Sequence, residues 1–281
     1  MYDINFFEKS NPIKKKITSG YFSSSNITEI EETFENLRSK VPYIYNIETT
    51  NYCNMKCVMC PRTMFMTRKN IWIDDNLFKK LLNNVKIQNQ LDFERFWNWI
   101  EKDYKHDVRE VSENGFYFSV VSRHLVLHGF GEPFLDKQLV ERITLCTSKK
   151  IPTYFSCTPA TMTVEKAKQA MKAGLGVLKF SLDAMEERKI QAIRGKKANF
   201  KESIDKILEL LEYKKEMNLK TLMVPCMIDL AEKEEDVEMQ KEFLSFWKGK
   251  DVYAYVKSQD NRWLYDSDNN ERASSISGSV L

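Results

Sequence analysis

From about residue 123 onward, apolar and polar positions alternate between two rhythms. Short apolar runs of strand type occupy 125–130 (LVLHGF), 153–157 (TYFSC), 177–183 (VLKFSLD), 219–228 (LKTLMVPCMI) and 251–258 (DVYAYVKS). Between them lie stretches with helical spacing at 136–149, 164–174, 199–217 and 235–249. Gly174 closes the second of these helices and Asn199 opens the third. An earlier run of high strand propensity holds Tyr43, Ile44, Tyr45 and Ile47, and Asp74-Asp75-Asn76 then starts an amphipathic helix reaching about residue 85. Six such strand–helix units predict an α/β fold with parallel strands, because parallel neighbours need a crossover between them. The expected architecture is a partial (βα)6 TIM-like barrel. No internal sequence repeat is visible.

Other stretches fall outside that rhythm. Residues 1–42 read as a helical leader on the outside of the domain, with Thr28 capping a helix over EIEETFENLRSK. Residues 86–122 form an aromatic-rich insert ahead of the second strand of the barrel domain, which spans 43–265. The insert begins with helical spacing around Phe93, Phe96, Trp97 and Trp99, and its end, FYFSVV, reads as an extra strand or hairpin arm. A lid over a site and a small subdomain with its own core are both open readings. Residues 266–281 are polar, rich in Ser and Asn, and predict a flexible tail.

Composition acts mainly by exclusion. With 43 basic and 40 acidic residues the net charge is +3, which makes nucleic acid an unlikely partner. No apolar run approaches the ~20 residues that a bilayer span needs. The N-terminus, MYDINFFEKSNPIKKK, lacks the apolar core of a signal peptide. A cytoplasmic protein with reduced thiols is expected.

The thiols themselves are unevenly placed. Half of the 6 cysteines (Cys53, Cys57 and Cys60) fall in one short loop, spaced C-x3-C-x2-C, directly after the first strand. Thiolates so clustered suit an iron–sulfur cluster, and three of them would leave one iron of a [4Fe–4S] unit open to a small molecule. A Cys3His zinc site would need a histidine from elsewhere, and His106, His124 and His128 are the available ones. A disulfide with one free thiol is the third reading. Cys146, Cys157 and Cys226 stand singly in helix or strand segments, as small buried apolar residues do.

In this setting the loop resembles that of the radical S-adenosylmethionine (radical SAM) enzymes. Three later landmarks follow in the same order: Gly129-Phe130-Gly131-Glu132-Pro133 after the second strand, the turn at 158–161 after the third, and Ser181-Leu182-Asp183 with Ile193-Arg194-Gly195 after the fourth. The resemblance covers about 43–195 and weakens toward 263. It implies that Cys53, Cys57 and Cys60 hold a [4Fe–4S] cluster whose open iron binds S-adenosylmethionine. Reductive cleavage then yields a 5′-deoxyadenosyl radical that abstracts hydrogen from a peptide or small-molecule substrate.

The same resemblance assigns Gly129, Gly131 and Glu132 to the methionine amine, Arg194 to the methionine carboxylate, and Ser181 and Asp183 to the ribose or carboxylate. It implies a reductant protein such as flavodoxin or ferredoxin. Met59 stands where the family carries an aromatic, and Pro159 where it often has Asn. Met64 and Met66 fit the cluster's apolar surround or plain packing, and Thr158, Thr161, His128 and Cys157 are weaker candidates near the site. The late segment is similar to members that continue into a cysteine-rich SPASM-type domain, and no such cysteines follow here. A zinc-binding interaction module and an iron–sulfur electron carrier remain the alternatives from other classes.

Overall fold

In the computed structural model, which describes residues 2–20, 27–41, 43–230 and 233–258, the predicted parallel sheet is present. Its strands are β1 (Leu125–Val126), β2 (Thr153–Cys157), β3 (Val177–Ser181), β4 (Leu222–Ile228) and β5 (Tyr255–Lys257). They pair in chain order and all in parallel, with Phe155 opposite Leu178 and Cys226 opposite Tyr255. The expected first strand is reduced to a parallel bridge: Ile47 N–H donates to Val126 O at 2.8 Å and Val126 N–H to Tyr45 O at 2.9 Å. It stays short because it has a neighbour on one side alone and turns away at Thr50, which bridges Trp72 in the antiparallel sense. Six extended segments therefore run side by side, as a partial (βα)6 barrel requires.

Alternation along the strands separates two layers. Leu125, Leu127, Phe155, Leu178, Phe180, Met223 and Met227 point outward and pack under helices. Those helices are α4 (Asp75–Leu82), α7 (Leu139–Ser148), α8 (Val164–Lys172), α10 (Phe200–Glu216) and α11 (Glu234–Trp247). The opposite phase (Val126, Tyr154, Val177, Val224, Cys226 and Tyr255) forms an inner cluster. Helix starts follow the sequence: the Asp74 side chain accepts from Leu77 N–H and the Asn199 side chain from Glu202 N–H, each at 2.9 Å. Gly174 takes φ +98° after α8, the left-handed geometry of a helix stop. The helix expected from 136 starts later, because Pro133–Leu135 first forms a 3₁₀ turn.

The leader and the insert differ most from expectation. Helix α1 (Ile4–Thr18) packs on α5 (Gln90–Tyr104), and Ile4, Phe93, Phe96, Ile100, Val108 and Phe118 make one shared core. The insert is thus part of a subdomain with its own core, completed by the leader. Helix α2 (Ile27–Leu37) already includes Thr28, so that residue is inside the helix and not its cap.

FYFSVV is helical, not a strand. It follows the one-turn α6 (Glu113–Gly115) as a π-helical turn, Phe116–Val120, and then a 3₁₀ turn, Val121–Arg123. The reason lies in what its side chains must reach. Phe116 and Val121 enter the inner cluster of the barrel, while Phe118 enters the α1–α5 core. A spacing of five residues between the two barrel-facing side chains matches a π turn. Residues 259–265 of the domain and the 266–281 tail lie outside the described residues.

Candidate active site

The cysteine loop leaves the sheet edge at Thr49 and is clasped at its base. Asn51 and the 69–71 segment exchange bonds, Asn51 Nδ2 to Lys69 O at 2.8 Å and Ile71 N–H to Asn51 Oδ1 at 2.6 Å. Ile73 N–H adds a bond to Thr49 O at 2.9 Å. Helix α3 (Pro61–Phe65) sits within this loop, and Arg62 Nε donates to Asn51 O at 3.0 Å. The loop's far side docks on the C-terminal end of α9 (Glu187–Arg194), whose last carbonyls lack partners within the helix. Val58 N–H donates to Ile193 O at 2.9 Å and Lys56 N–H to Arg194 O at 3.4 Å. The Ile-Arg-Gly landmark is therefore a backbone platform for the cysteines.

Cys57 is buried, and Cys53 and Cys60 are half-buried. They share an apolar cluster with Met55, Met59, Ala184, Ile190, Ile193 and Ala198. Met64 is exposed and takes no part in it. Burial pushes the Cys53 thiol up to about 11 and raises Cys57 as well, the latter against the pull of the Arg194 guanidinium. Metal ligation displaces such protons. A single zinc needs its ligands converged at about 2.3 Å from one ion. Among the described residues no three His, Cys, Asp or Glu side chains converge in that way. Three cysteines of one loop in a shared apolar surround supply the thiolate donor set that a [4Fe–4S] cluster takes.

The glycine landmark abuts the lead segment of the loop. A Cβ on Gly131 would stand 1.9 Å from Thr50 O, and one on Gly129 would meet Glu48 Oε1 at 2.6 Å. Here the pressure for glycine comes from the chain's own backbone and from Glu48. Glu48 also accepts Phe130 N–H at 2.7 Å and pairs with Arg68 at 2.9 Å. Glu132 is 4% exposed, and its carboxylate accepts Thr158 N–H at 2.9 Å and Phe134 N–H at 3.3 Å. Burial pushes it up to about 7, against those two donors. It joins the ends of β1 and β2.

At the end of β3, Ser181 Oγ lies 3.2 Å from Ser156 Oγ. Asp183 is buried and does not cap α9. Its Oδ1 accepts Ile228 N–H at 2.9 Å, and its Oδ2 receives Arg194 through Nε at 2.5 Å and through Nη2. Arg194 Nη1 then reaches Cys57 Sγ at 3.7 Å. The cysteines, the Glu132 junction and the Asp183–Arg194 pair all lie at the C-terminal ends of the strands, where parallel barrels place their sites.

The weaker candidates separate. Thr158 is tied to Glu132, Pro159 starts a 3₁₀ turn, and Thr161 donates to Thr158 O at 2.7 Å. Cys157 is buried in the outer layer. His128 Nδ1 accepts Ser156 N–H at 3.2 Å, and burial lowers it to about 3, with Lys179 adding to the effect. Sequence reasoning missed the roles of Asn51, of Glu48 with Arg68, and of the Tyr52–Trp72 stack at 4.1 Å. Their signal was position alone, on either side of a cysteine loop. An open groove of 770 Å³ lined by Leu208, Lys215, Leu222 and Asp251 lies at the opposite ends of the strands and holds none of these groups.

A parallel partial barrel whose cysteine loop follows the first strand defines a class, and the comparisons identify it. The Radical SAM superfamily model matches residues 47–243, so the chain belongs to that superfamily, whose members are enzymes using a [4Fe–4S] cluster and S-adenosylmethionine. No curated protein sequence matches it. Two solved structures share the fold. Methylornithine synthase (PylB) has a TM-score of 0.50 and 12% identity, over 83% of this chain and 59% of that one. Streptococcus suis SuiB bound to S-adenosylmethionine has 0.50 and 15%, over 95% and 53%. The chain thus spans little more than half the length of either. No helix among the described residues is long and apolar enough to cross a membrane.

Proposed function

We propose that this chain is the catalytic domain of a radical SAM enzyme that abstracts hydrogen from a peptide or small-molecule substrate. The observation that carries the reading is the joint between Cys57, Arg194 and Asp183, which fixes the cysteine loop beside a buried, oriented guanidinium. When bound, the cluster and S-adenosylmethionine supply the electron and the radical-forming sulfonium bond.

The protein's part is placement. Cys53, Cys57 and Cys60 ligate iron. Gly129, Gly131 and Glu132 shape the wall against the methionine amine, with Glu132 already anchored by two backbone donors. Asp183 orients Arg194 toward the methionine carboxylate, a charge-assisted contact suited to a planar fork. Ser181 faces the ribose. Apolar Met55, Ala184 and Ile190 limit water near the cysteines. A peptide substrate has a parallel in SuiB, which was solved with precursor peptide SuiA. A flavodoxin or ferredoxin type of reductant would meet the exposed Val58, Met64 and Phe65, flanked by Lys56 and Arg68.

The test is anaerobic reconstitution with iron and sulfide, then dithionite reduction with S-adenosylmethionine and chromatography for 5′-deoxyadenosine. Wild type is expected to release it and Cys57→Ala to release none. A chain that takes up zinc instead of iron, or forms a cluster that leaves S-adenosylmethionine intact, would sink the proposal.

A further inference from the structure

The interior of the barrel holds a cation that the placement above does not use. Along β3 the inward positions are Val177, Lys179 and Ser181, and Lys179 is only 6% exposed. Its ammonium stands 5.6 Å from the Phe116 ring centre and 5.2 Å from that of Tyr255. Tyr117, Tyr154 and the Cys226 thiol complete its polar surroundings. Among the described residues no carboxylate pairs with it. Ring faces return only part of what a buried ammonium loses on leaving water. An anion is the missing partner.

The neighbours are donors as well. The Tyr255 hydroxyl is buried with no nitrogen or oxygen partner among the described residues, and the Cys226 thiol is the weak partner within its reach. Level with these groups, where Ser156 pairs with Lys179 and Ser181 with Cys226, Ser156 Oγ and Ser181 Oγ form a hydroxyl pair. His128, Ser156 and Ser181 remain partly exposed, while Leu127, Phe155 and Phe180 on the outer phase are buried. These partly exposed inner positions give the lumen access to solvent beside Lys179, which pairs with Ser156 across β2 and β3. Burial keeps His128 uncharged at neutral pH, so the cations of this inner wall are the buried Lys179 and the partly exposed Lys257, two residues beyond Tyr255.

We propose that Lys179, with the Tyr255 hydroxyl, anchors a carboxylate of the substrate inside the barrel. The identity of that carboxylate as the substrate's rests on the radical SAM reading; the binding site itself does not. Aromatic walls at Phe116, Tyr154 and Tyr255 favour a carboxylate carried on an apolar or aromatic body.

The test uses the full chain, reconstituted with its cluster and S-adenosylmethionine, and titrates matched probes: benzoate against benzamide and butyrate against butyramide. Wild type is expected to bind each carboxylate at least tenfold more tightly than its amide. Lys179→Met and Lys179→Gln should erase that preference, Lys179→Arg should keep part of it, and Tyr255→Phe should weaken it. In wild type carrying ¹⁵N-lysine, benzoate should shift the Lys179 amine resonance and benzamide should not. Equal binding of acid and amide by wild type would overturn the proposal, as would an unmoved Lys179 resonance. A Lys179→Gln chain that loses stability yet keeps the preference would make the lysine structural and overturn it too. Release of 5′-deoxyadenosine is measured in parallel. Its failure in wild type would remove the radical reading and leave the carboxylate result standing.

Discussion

Asp183 and Arg194 form the pair on which the site's geometry turns. Asp183 ends β3 in the left-handed region, φ +53°, where a side chain other than glycine is uncommon. Its two oxygens divide the work: Oδ1 holds Ile228 N–H at the end of β4, and Oδ2 holds Arg194 at the end of α9. Arg194 in turn meets Cys57. One carboxylate thereby ties two strands and a helix to the cysteine loop.

Removing that carboxylate leaves a buried guanidinium without its partner. Asp183→Ala is expected to cost about 3 kcal/mol or more, the range for breaking a buried ion pair by deleting one side. Asp183→Asn keeps an acceptor for Ile228 and should cost less. Urea denaturation gives the stability, and iron bound per chain after reconstitution should fall in the same order. Unchanged iron content in Asp183→Ala would show that the pair does not organise the loop.

The two landmark glycines should respond unequally. A methyl on Gly131 collides with the Thr50 carbonyl, which is backbone and cannot swing aside. A methyl on Gly129 meets the Glu48 side chain, which can move at the expense of its bond to Phe130 N–H. Gly131→Ala should therefore lose both stability and iron binding. Gly129→Ala should lose about 1 kcal/mol, the worth of a hydrogen bond. Gly249→Ala is the control, with a positive φ and open space around it. Thermal denaturation of the three variants ranks them.

Much of this was legible in the chain, and the gaps have physical causes. The outward residues of β2, β3 and β4 and the caps at Asp74 and Asn199 are local signals, carried by alternation and by a side chain near its own backbone. The cysteine spacing is a local signal for the same reason, three thiols in one short loop. What the sequence concealed is non-local. Nothing near Asp183 shows that it will hold Arg194 rather than cap a helix. FYFSVV alternates like a strand because Phe116 and Phe118 serve two different cores. Gly129 and Gly131 were assigned to a cofactor, yet the crowding around them comes from Glu48 and Thr50.

Two histidines predict a loss of stability in acid. His124 donates from Nδ1 to Val120 O at 2.6 Å, and burial lowers it to about 4; burial lowers His128 to about 3. Each is depressed below the 6.5 of an unfolded histidine, so the unfolded chain binds the extra proton first. Their contribution is present above pH 6.5 and drains away as pH falls through 4 and toward 3. His124, being partly exposed, is expected to account for about 2 kcal/mol. Urea midpoints from pH 7 downward check this, and His124→Gln should flatten the upper part of the decline.

The insert makes the last prediction. Were it a lid, truncating its aromatics would change substrate access and leave the fold intact. Phe116 is instead fully buried, edge-on to Tyr154 at 5.6 Å and tilted against Tyr255 at 5.3 Å, so it is a core residue of the barrel's inner cluster. Phe116→Ala is expected to cost about 3 to 5 kcal/mol, as large aromatic truncations in cores do. The cavity would also open beside Lys179, whose ammonium stands 5.6 Å from that ring. Trp97→Phe is milder, because it removes the indole bond to Phe118 O (2.8 Å) and keeps a ring in the α1–α5 core. Calorimetry on both variants, beside S-adenosylmethionine affinity, distinguishes the cases. A Phe116→Ala chain as stable as wild type, with altered turnover alone, would restore the lid.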